Sequence, residues 1–340
     1  MTTPLIQIRG LEKTFTTNES WLGQWRFRRG KFSKQKSHVH ALNGVDLTIY
    51  QGETLCVVGE TGCGKSTLAR VIMGLAAPSA GEIDYLAERI DHLNDRQRMF
   101  FRRRMQMVFQ NPYASLNPRM TVYQTLSEPI SFHNPLFTQS QVDEKIEELL
   151  ESVGISASSS NRYPHEFSGG QRQRQRISLA RALSVEPDFI VADEPLSALD
   201  VSVQAQVLNL MMDKQEERNL SYLFITHDLA VVEHFATRVA VMYLGRICEL
   251  SSRETLFGSP KHPYTQALLS AIPRLDSNTA EPIRLIGEVP TPTEKPVGCV
   301  FQARCPYANQ RCYESSPAMV LQTDGSSVAC HAIEEGRLWK

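Results

Sequence analysis

No stretch of the 340-residue chain approaches the 18 consecutive apolar residues of a membrane-spanning helix. Residues Met1 to Gly10 also lack the apolar core of a signal peptide. The expectation is a cytosolic chain which, if it serves a membrane at all, does so as a peripheral subunit. Net charge is missing too. The 36 Lys and Arg against 37 Asp and Glu leave −1, which argues against a nucleic-acid binder carried by bulk electrostatics. Seven cysteines are an odd number, and Cys56 and Cys63 flank or enter a glycine-rich loop, so no disulfide framework is expected in a reducing compartment. Against these absences stand an apolar share of 41%, ample for a packed core, and a length that suggests two domains.

The glycine-rich loop reads Gly59-Glu60-Thr61-Gly62-Cys63-Gly64-Lys65-Ser66-Thr67, of the form G-x-x-x-x-G-K-[ST]. The apolar run Thr54 to Val58 precedes it and the helix-compatible Leu68 to Met73 follows. A strand, a glycine loop and a helix in that order form a phosphate cradle. Glycines let successive N–H groups turn inward, and the helix adds its positive end. Lys65 then neutralises the β and γ phosphates, and the Ser66 hydroxyl reaches Mg²⁺. The competing reading is an ordinary Gly-rich turn.

Along the chain, Leu5 to Ile8 alternates like an edge strand. Residues 16–40 form a basic, aromatic insertion with Trp21, Trp25 and several Arg and Lys, either a solvated loop or a contact for lipid headgroups or a partner. Further strands are expected at Asp46 to Ile49, at Ile83 to Ile90 and at Arg102 to Phe109 before Gln110. Asn111 to Pro118 is turn chemistry. Residues 138–152 read as an amphipathic helix with Val142, Ile146, Leu149 and Leu150 on one face. The region from about 100 to 185 thus resembles a helical insert in an α/β core. Apolar runs at Phe189 to Ala192, Tyr222 to Ile225 and Val239 to Tyr243, alternating with helices, imply a mainly parallel sheet. Past Phe257, seven prolines between Pro260 and Pro296 mark a boundary. Residues 1–257 and 258–340 are the expected domains.

Asp193 and Glu194 close the first of those runs. Asp193 suits a metal-ordering carboxylate, and Glu194, pointing differently, suits a base for an attacking water. Such a pair alone is usually a strand end meeting solvent. Ser168-Gly169-Gly170-Gln171 precedes a long helix and offers a second phosphate site, or an ordinary N-cap.

Together the glycine loop, Gln110, Ser168 to Gln171, Asp193-Glu194, Ser197-Ala198-Leu199-Asp200 and His227 stand in the order and approximate spacing of the ATP-binding cassette proteins. The resemblance covers residues 5 to about 257. It implies an α/β P-loop NTPase core of ABC ATPase type, with a mainly parallel sheet, an antiparallel β subdomain, an inserted helical subdomain and a small Cys-containing C-terminal extension. It implies ATP and Mg²⁺ as cofactors. Gly59 to Thr67 would bind phosphates, and Ser66, Gln110 and Asp193 would meet Mg²⁺. Glu194 would polarise water and His227 would contact the γ-phosphate. Ser168, Gly169, Gly170 and Gln171 would complete the site of a partner ATPase. Phe15 aligns with the aromatic that stacks on adenine, although a plain core position fits it equally.

Three segments sharpen the resemblance: Asn111 to Arg119, Arg162 to Phe167 and Lys261 to Leu269 are similar to the ATPase subunits of dipeptide and oligopeptide importers, most of all to the second such subunit. Related importers for nickel or glutathione share these motifs. The implied partners are two transmembrane permease subunits, with a coupling helix received near Gln110 to Arg119, and a second ATPase subunit forming a heterodimer or homodimer. An external solute-binding protein would act indirectly, and no nucleic acid is implied. The implied place is the cytoplasmic face of the bacterial inner membrane. A soluble cassette ATPase acting on DNA or ribosomes usually has two cassettes or a long coiled coil, and this chain has neither. A non-hydrolytic sensor is opposed by Glu194 and His227.

One departure concerns Gln171 to Arg176, where a Gln-Arg pair looks duplicated and Arg181 falls two residues later than the family usually places it. The expectation is that the pair is looped out near the helix start; the alternative is a signature rotated relative to the core. The tail carries Cys299, Cys305, Cys312 and Cys330, spaced C-x5-C-x6-C-x17-C, which is neither a zinc ribbon nor a ferredoxin run. Four nearby cysteines in a cytosolic protein favour a metal over disulfides. The resemblance favours a [4Fe-4S] iron-sulfur cluster, with zinc or four unligated thiols as alternatives. Cys248 reads as core.

Overall fold

The computed structural model describes residues 3–17, 25–28, 31–34, 37–110, 116–167, 170–197, 199–272, 282–285, 287, 290 and 293–338. In chain order its strands are β1 (Pro4–Thr17), β2 (Trp25–Arg28), β3 (Lys31–Lys34), β4 (Ser37–Tyr50), β5 (Thr54–Val58), β6 (Ala80–Tyr85) and β7 (Glu88–Arg89). They continue with β8 (Met105–Val108), β9 (Phe189–Asp193), β10 (Ser221–Ile225), β11 (Arg238–Tyr243), β12 (Arg246–Ser252), β13 (Val320–Leu321) and β14 (Ser327–Val328). The chain divides into two compact units. One holds residues 1–5, 49–56 and 92–226, the other 6–48, 57–91 and 227–340.

In the first unit β9 is parallel to β10 on one side and to β8 on the other. Every residue of β9 and β10 is buried, which explains their unbroken apolar sequence. The helices Val122–His133, Gln139–Ser152 and Gln171–Leu183 pack on one another. Thr121 and Thr138 begin the first two with capping boxes that satisfy free amide groups. Val142, Ile146, Leu149 and Leu150 are buried, as their spacing predicts. The strand expected from Arg102 starts only at Met105. Arg102 to Arg104 instead complete the helix Asp95–Arg104, whose Asn94 cap and Gln97 form another capping box.

The duplicated Gln-Arg is not looped out. The helix runs unbroken from Gln171 to Leu183, with Arg174 N bonded to Gly170 O. Its residues have places to go. Gln175 is buried, Arg174 Nε donates to Pro164 O, and Arg176 donates to Val153 O, Gly154 O and Gln206. Two added residues lengthen a helix by about 3 Å and turn its start by about 200°.

The second unit contains the sheet β4-β1-β6-β7. β1 lies between β4 and β6, so it is an interior strand rather than an edge. Its alternation reports one buried face, where Ile6 and Ile8 sit opposite Tyr85 and Ile83, and not a free margin. The single strand expected from Ile83 to Ile90 is a hairpin, because Leu86 and Ala87 both take positive φ, 48° and 65°, as a tight primed turn requires. Within the basic insertion β2 and β3 pair antiparallel, with Phe27 opposite Phe32. Trp21 lies outside the described residues.

The C-terminal segment extends a sheet of this unit. β11 pairs with β12, β14 adds to β12 and β13 to β14. Val328, Cys330, Ala332 and Leu338 make a small core under it. Glu249, wholly buried in β12, accepts bonds from Lys261 N and His262 N at 3.0 and 2.8 Å. His262 Nδ1 in turn accepts from Tyr264 N at 3.1 Å and caps the helix Pro263–Ser270. Burial pushes His262 from 6.5 down to about 3, and pushes Glu249 above the usual carboxylate range. A depressed histidine contributes stability above its unfolded pKa of 6.5, and that stability drains away as pH falls towards 3. Glu249 acts with the opposite sign, so the test is a difference. Between pH 7.5 and 5 the native chain should lose about 2 kcal/mol more than His262→Asn, which keeps a cap but does not titrate. Urea unfolding at both pH values measures this, and equal losses would contradict the assignment.

Candidate nucleotide site

The loop after β5 is built for glycine. All five residues of β5 are buried, and the chain leaves it at Gly59 with φ of 151°. A Cβ there would stand 2.1 Å from Met242 O. Gly64 has φ of 108°, and a Cβ would stand 2.4 Å from Ala41 O. Between them the chain folds around Lys65, whose Nζ donates to Gly59 O at 2.6 Å and to Glu60 O at 3.1 Å. Cys63 Sγ lies 3.8 Å from the same ammonium. Burial raises the Cys63 thiol, and Lys65 only partly opposes it. Gly245 N closes the loop from outside by donating to Cys63 O at 2.8 Å.

The helix Lys65–Ile72 starts from Gly64 with no side-chain cap, so its first amide groups suit an anion. Ser66 and Thr67 are half-buried in its first turn, while Thr61 and Gly62 are exposed. Glu60, also half-buried, has partners that its sequence neighbourhood does not suggest. Its N–H donates to the Tyr264 hydroxyl at 2.9 Å, and its carboxylate pairs with Arg304 at 2.7 Å.

In the other unit, β9 delivers Asp193 buried at its end, and Glu194 turns away with φ of 46°. Glu194 N donates to Ile225 O at 2.9 Å, and its carbonyl accepts from Ser197 Oγ at 3.0 Å. Gln110 Nε2 donates to Glu194 Oε2 at 2.8 Å. The fold therefore brings together two candidates that are 84 residues apart. Gln204 Nε2 holds the next loop by its Leu196 and Leu199 carbonyls, and Asp200 caps the helix Val201–Arg218.

His227 is exposed, next to Asp228, which caps the helix Leu229–Phe235. Phe15 is 39% exposed, too open for a core position, with Lys13 Nζ 4.9 Å from its ring centre. Gly170 has φ of 50° at the start of its helix. Ser168, Gly169, Asn111 to Ser115 and Ala198 lie outside the described residues, as does the side chain of Gln171.

Cys299, Cys305, Cys312 and Cys330 correct the expectation of an iron-sulfur or zinc site. All four are free, and among the described residues no group of three or more His, Cys, Asp or Glu is arranged to hold a metal ion. Burial pushes Cys299 and Cys305 up to about 11 and raises Cys330 as well. Cys312 Sγ donates to Asn309 Oδ1 at 3.3 Å. Cys299, Cys312 and Cys330 are buried and pack as small hydrophobes, while Cys305 is half-buried. Cys248 is buried, as expected of core.

A glycine loop that wraps a lysine, joined to a helix start, together with a carboxylate pair closing a parallel strand, defines the nucleotide-hydrolase class with a phosphate-binding loop. Known proteins narrow that class. The ABC transporter family model matches residues 42–197, and the model of the oligopeptide/dipeptide transporter C-terminal region matches 248–312. The dipeptide transport ATP-binding protein DppF of Haemophilus influenzae is 47% identical over 98% of each chain. The oligopeptide transport ATP-binding protein AppF of Bacillus subtilis is 47% identical over 96% of this chain and 97% of its own.

Among solved structures, the dimeric bacterial ABC transporter cassette MJ0796 superposes with a TM-score of 0.63 at 26% identity, over 73% of this chain and 99% of that one. Its post-hydrolysis state bound to ADP and Pi matches with the same score. The chain belongs to the ABC transporter family, among the ATP-binding proteins of the oligopeptide and dipeptide branch. Gly59→Ala should weaken MgATP binding by at least about tenfold, because the added methyl cannot share space with Met242 O. Titration with a fluorescent ATP analogue checks this, and unchanged affinity in a folded variant would contradict the loop geometry.

Proposed function

We propose that this chain is the ATP-hydrolysing subunit of a membrane importer for dipeptides or oligopeptides. The observation that carries the reading is the loop Gly59 to Gly64 folded around the Lys65 ammonium. Such a loop is complementary to a triphosphate, whose oxygens offer Lys65 stronger partners than two carbonyls. The uncapped amide groups of the following helix face the same anion.

Ser66, Gln110 and Asp193 offer the oxygen donors that Mg²⁺ prefers. Gln110 gives its NH₂ to Glu194, so its amide oxygen is the atom for the cation. When bound, Mg²⁺ neutralises charge on the transferring phosphoryl group. Glu194 has an acceptor-only carboxylate held by Gln110 and a backbone fixed by Ile225 and Ser197, as a group that orients water and takes its proton needs. His227 would contact the γ-phosphate, and Phe15 would meet the adenine face. The segment from Ser168 to Gln171 would serve the ATP of a second ATPase subunit, identical or related.

Residues 1–257 form the ATP-binding domain in this reading, and 258–340 the extension typical of the branch. No helix among the described residues is long and apolar enough to cross a membrane. The subunit would dock on the cytoplasmic face of two permease subunits, fed by an external solute-binding protein. Peptide cargo is supported by what the relatives are named for and by the match at residues 248–312.

In the assembled importer, Glu194→Gln should keep MgATP binding and lower ATP turnover by roughly 100-fold or more, the range that general-base removal covers. Steady-state phosphate release measures it. Undiminished hydrolysis would refute Glu194 as the base.

A further inference from the structure

Glu60 is the first variable position of the phosphate loop, and it places a carboxylate where a triphosphate brings several negative charges. Unpaired, that carboxylate would oppose the ligand. Its compensation comes from far along the chain. Arg304 Nη1 lies 2.7 Å from Glu60 Oε2 and 3.4 Å from the Tyr243 hydroxyl, and the Arg304 side chain is only 9% exposed. Burial works against the Arg304 charge, yet its bonds to Glu60 and Tyr243 outweigh that and hold the guanidinium protonated.

Arg304 is mounted on a packed aromatic cluster. It ends the short turn Gln302–Arg304, which begins at Phe301. Phe301 is buried among aromatic rings, with centroids 5.3 Å from Tyr243, 5.4 Å from Tyr264 and 5.7 Å from His262. Tyr243 and Tyr264 meet edge to face at 4.8 Å. The Tyr264 hydroxyl also accepts the Glu60 N–H at 2.9 Å. Two separate parts of the C-terminal segment thus grip one loop residue, one through its backbone and one through its carboxylate.

We propose that Arg304 is a positioning residue for nucleotide binding, which neutralises Glu60 and, with Tyr264, fixes the phosphate loop in its binding shape. The C-terminal extension is then part of the ATP site. This inference rests on the reading of Gly59 to Thr67 as that site. Arg304 does not touch the nucleotide; it acts through Glu60. Its effect should grow with phosphate charge, so ATP should be affected more than ADP.

The test is a double-mutant cycle on the full chain, with Mg²⁺ and a fluorescent ATP analogue as the probe and the ADP analogue as its comparison. Arg304→Gln should weaken the ATP analogue by about tenfold or more in the native background. In the Glu60→Gln background it should cost less than about threefold, because no carboxylate remains to be neutralised. The native-background loss should be smaller for the ADP analogue. An equal loss in both backgrounds would assign Arg304 a merely structural role and overturn the proposal, as would no loss in either. Should Arg304→Gln alone fail to fold, the comparison of Glu60→Gln with the double variant decides, and a tenfold gap between them overturns it. Absence of binding by the native chain would instead overturn the reading of the loop, and this inference with it.

Discussion

Two backbone carbonyls, of Met242 and Ala41, press on the glycine loop from outside while the Lys65 ammonium binds it from within. That enclosure dictates the sequence around it. Gly59 and Gly64 must lack side chains, β5 must be apolar to carry the loop through the interior, and Gly245 must come close enough to bond Cys63 O. Strands β4 and β11, which supply the two carbonyls, are far apart in sequence, so the cradle exists only once the sheets of that unit have formed.

The carboxylate side of the chemistry depends on a different constraint. A strand buried along its whole length ends in Asp193, and the backbone reverses into the left-handed region at the next residue, Glu194. Asp193 thereby stays within the sheet's end while Glu194 is aimed elsewhere and meets Gln110. The separation comes from the turn at Glu194, just beyond the end of β9. It lets two neighbouring carboxylates take two roles, one ordering a cation and one handling a proton.

Most of this was legible in the sequence because it is local. The glycine loop, the apolar runs of β9 and β10, and the four buried positions of Gln139–Ser152 all follow from spacing within a few residues. What was not legible is non-local or depends on context. Nothing near Arg304 announces a partner 244 residues away, and Tyr264 looks like an ordinary helix residue until its hydroxyl meets Glu60 N. The turn at Leu86 and Ala87 carries no glycine, so the hairpin read as one strand. The doubled Gln-Arg looked like an insertion to be expelled, but these are good helix formers with carbonyl partners in reach, and the helix absorbed them. The four tail cysteines suggest a ligand set by number and proximity in sequence, whereas among the described residues no group of three or more ligands is arranged to hold a metal, and Cys299, Cys312 and Cys330 are buried.

Every other role depends on the binding, by the loop around Lys65, of the triphosphate whose hydrolysis drives import. That binding is tested most directly by placing Lys65→Ala in the importer reconstituted into vesicles, and measuring phosphate release and dipeptide uptake on the same preparation. Both should fall together to near background while the complex still assembles. Hydrolysis and uptake at the native rate would contradict it.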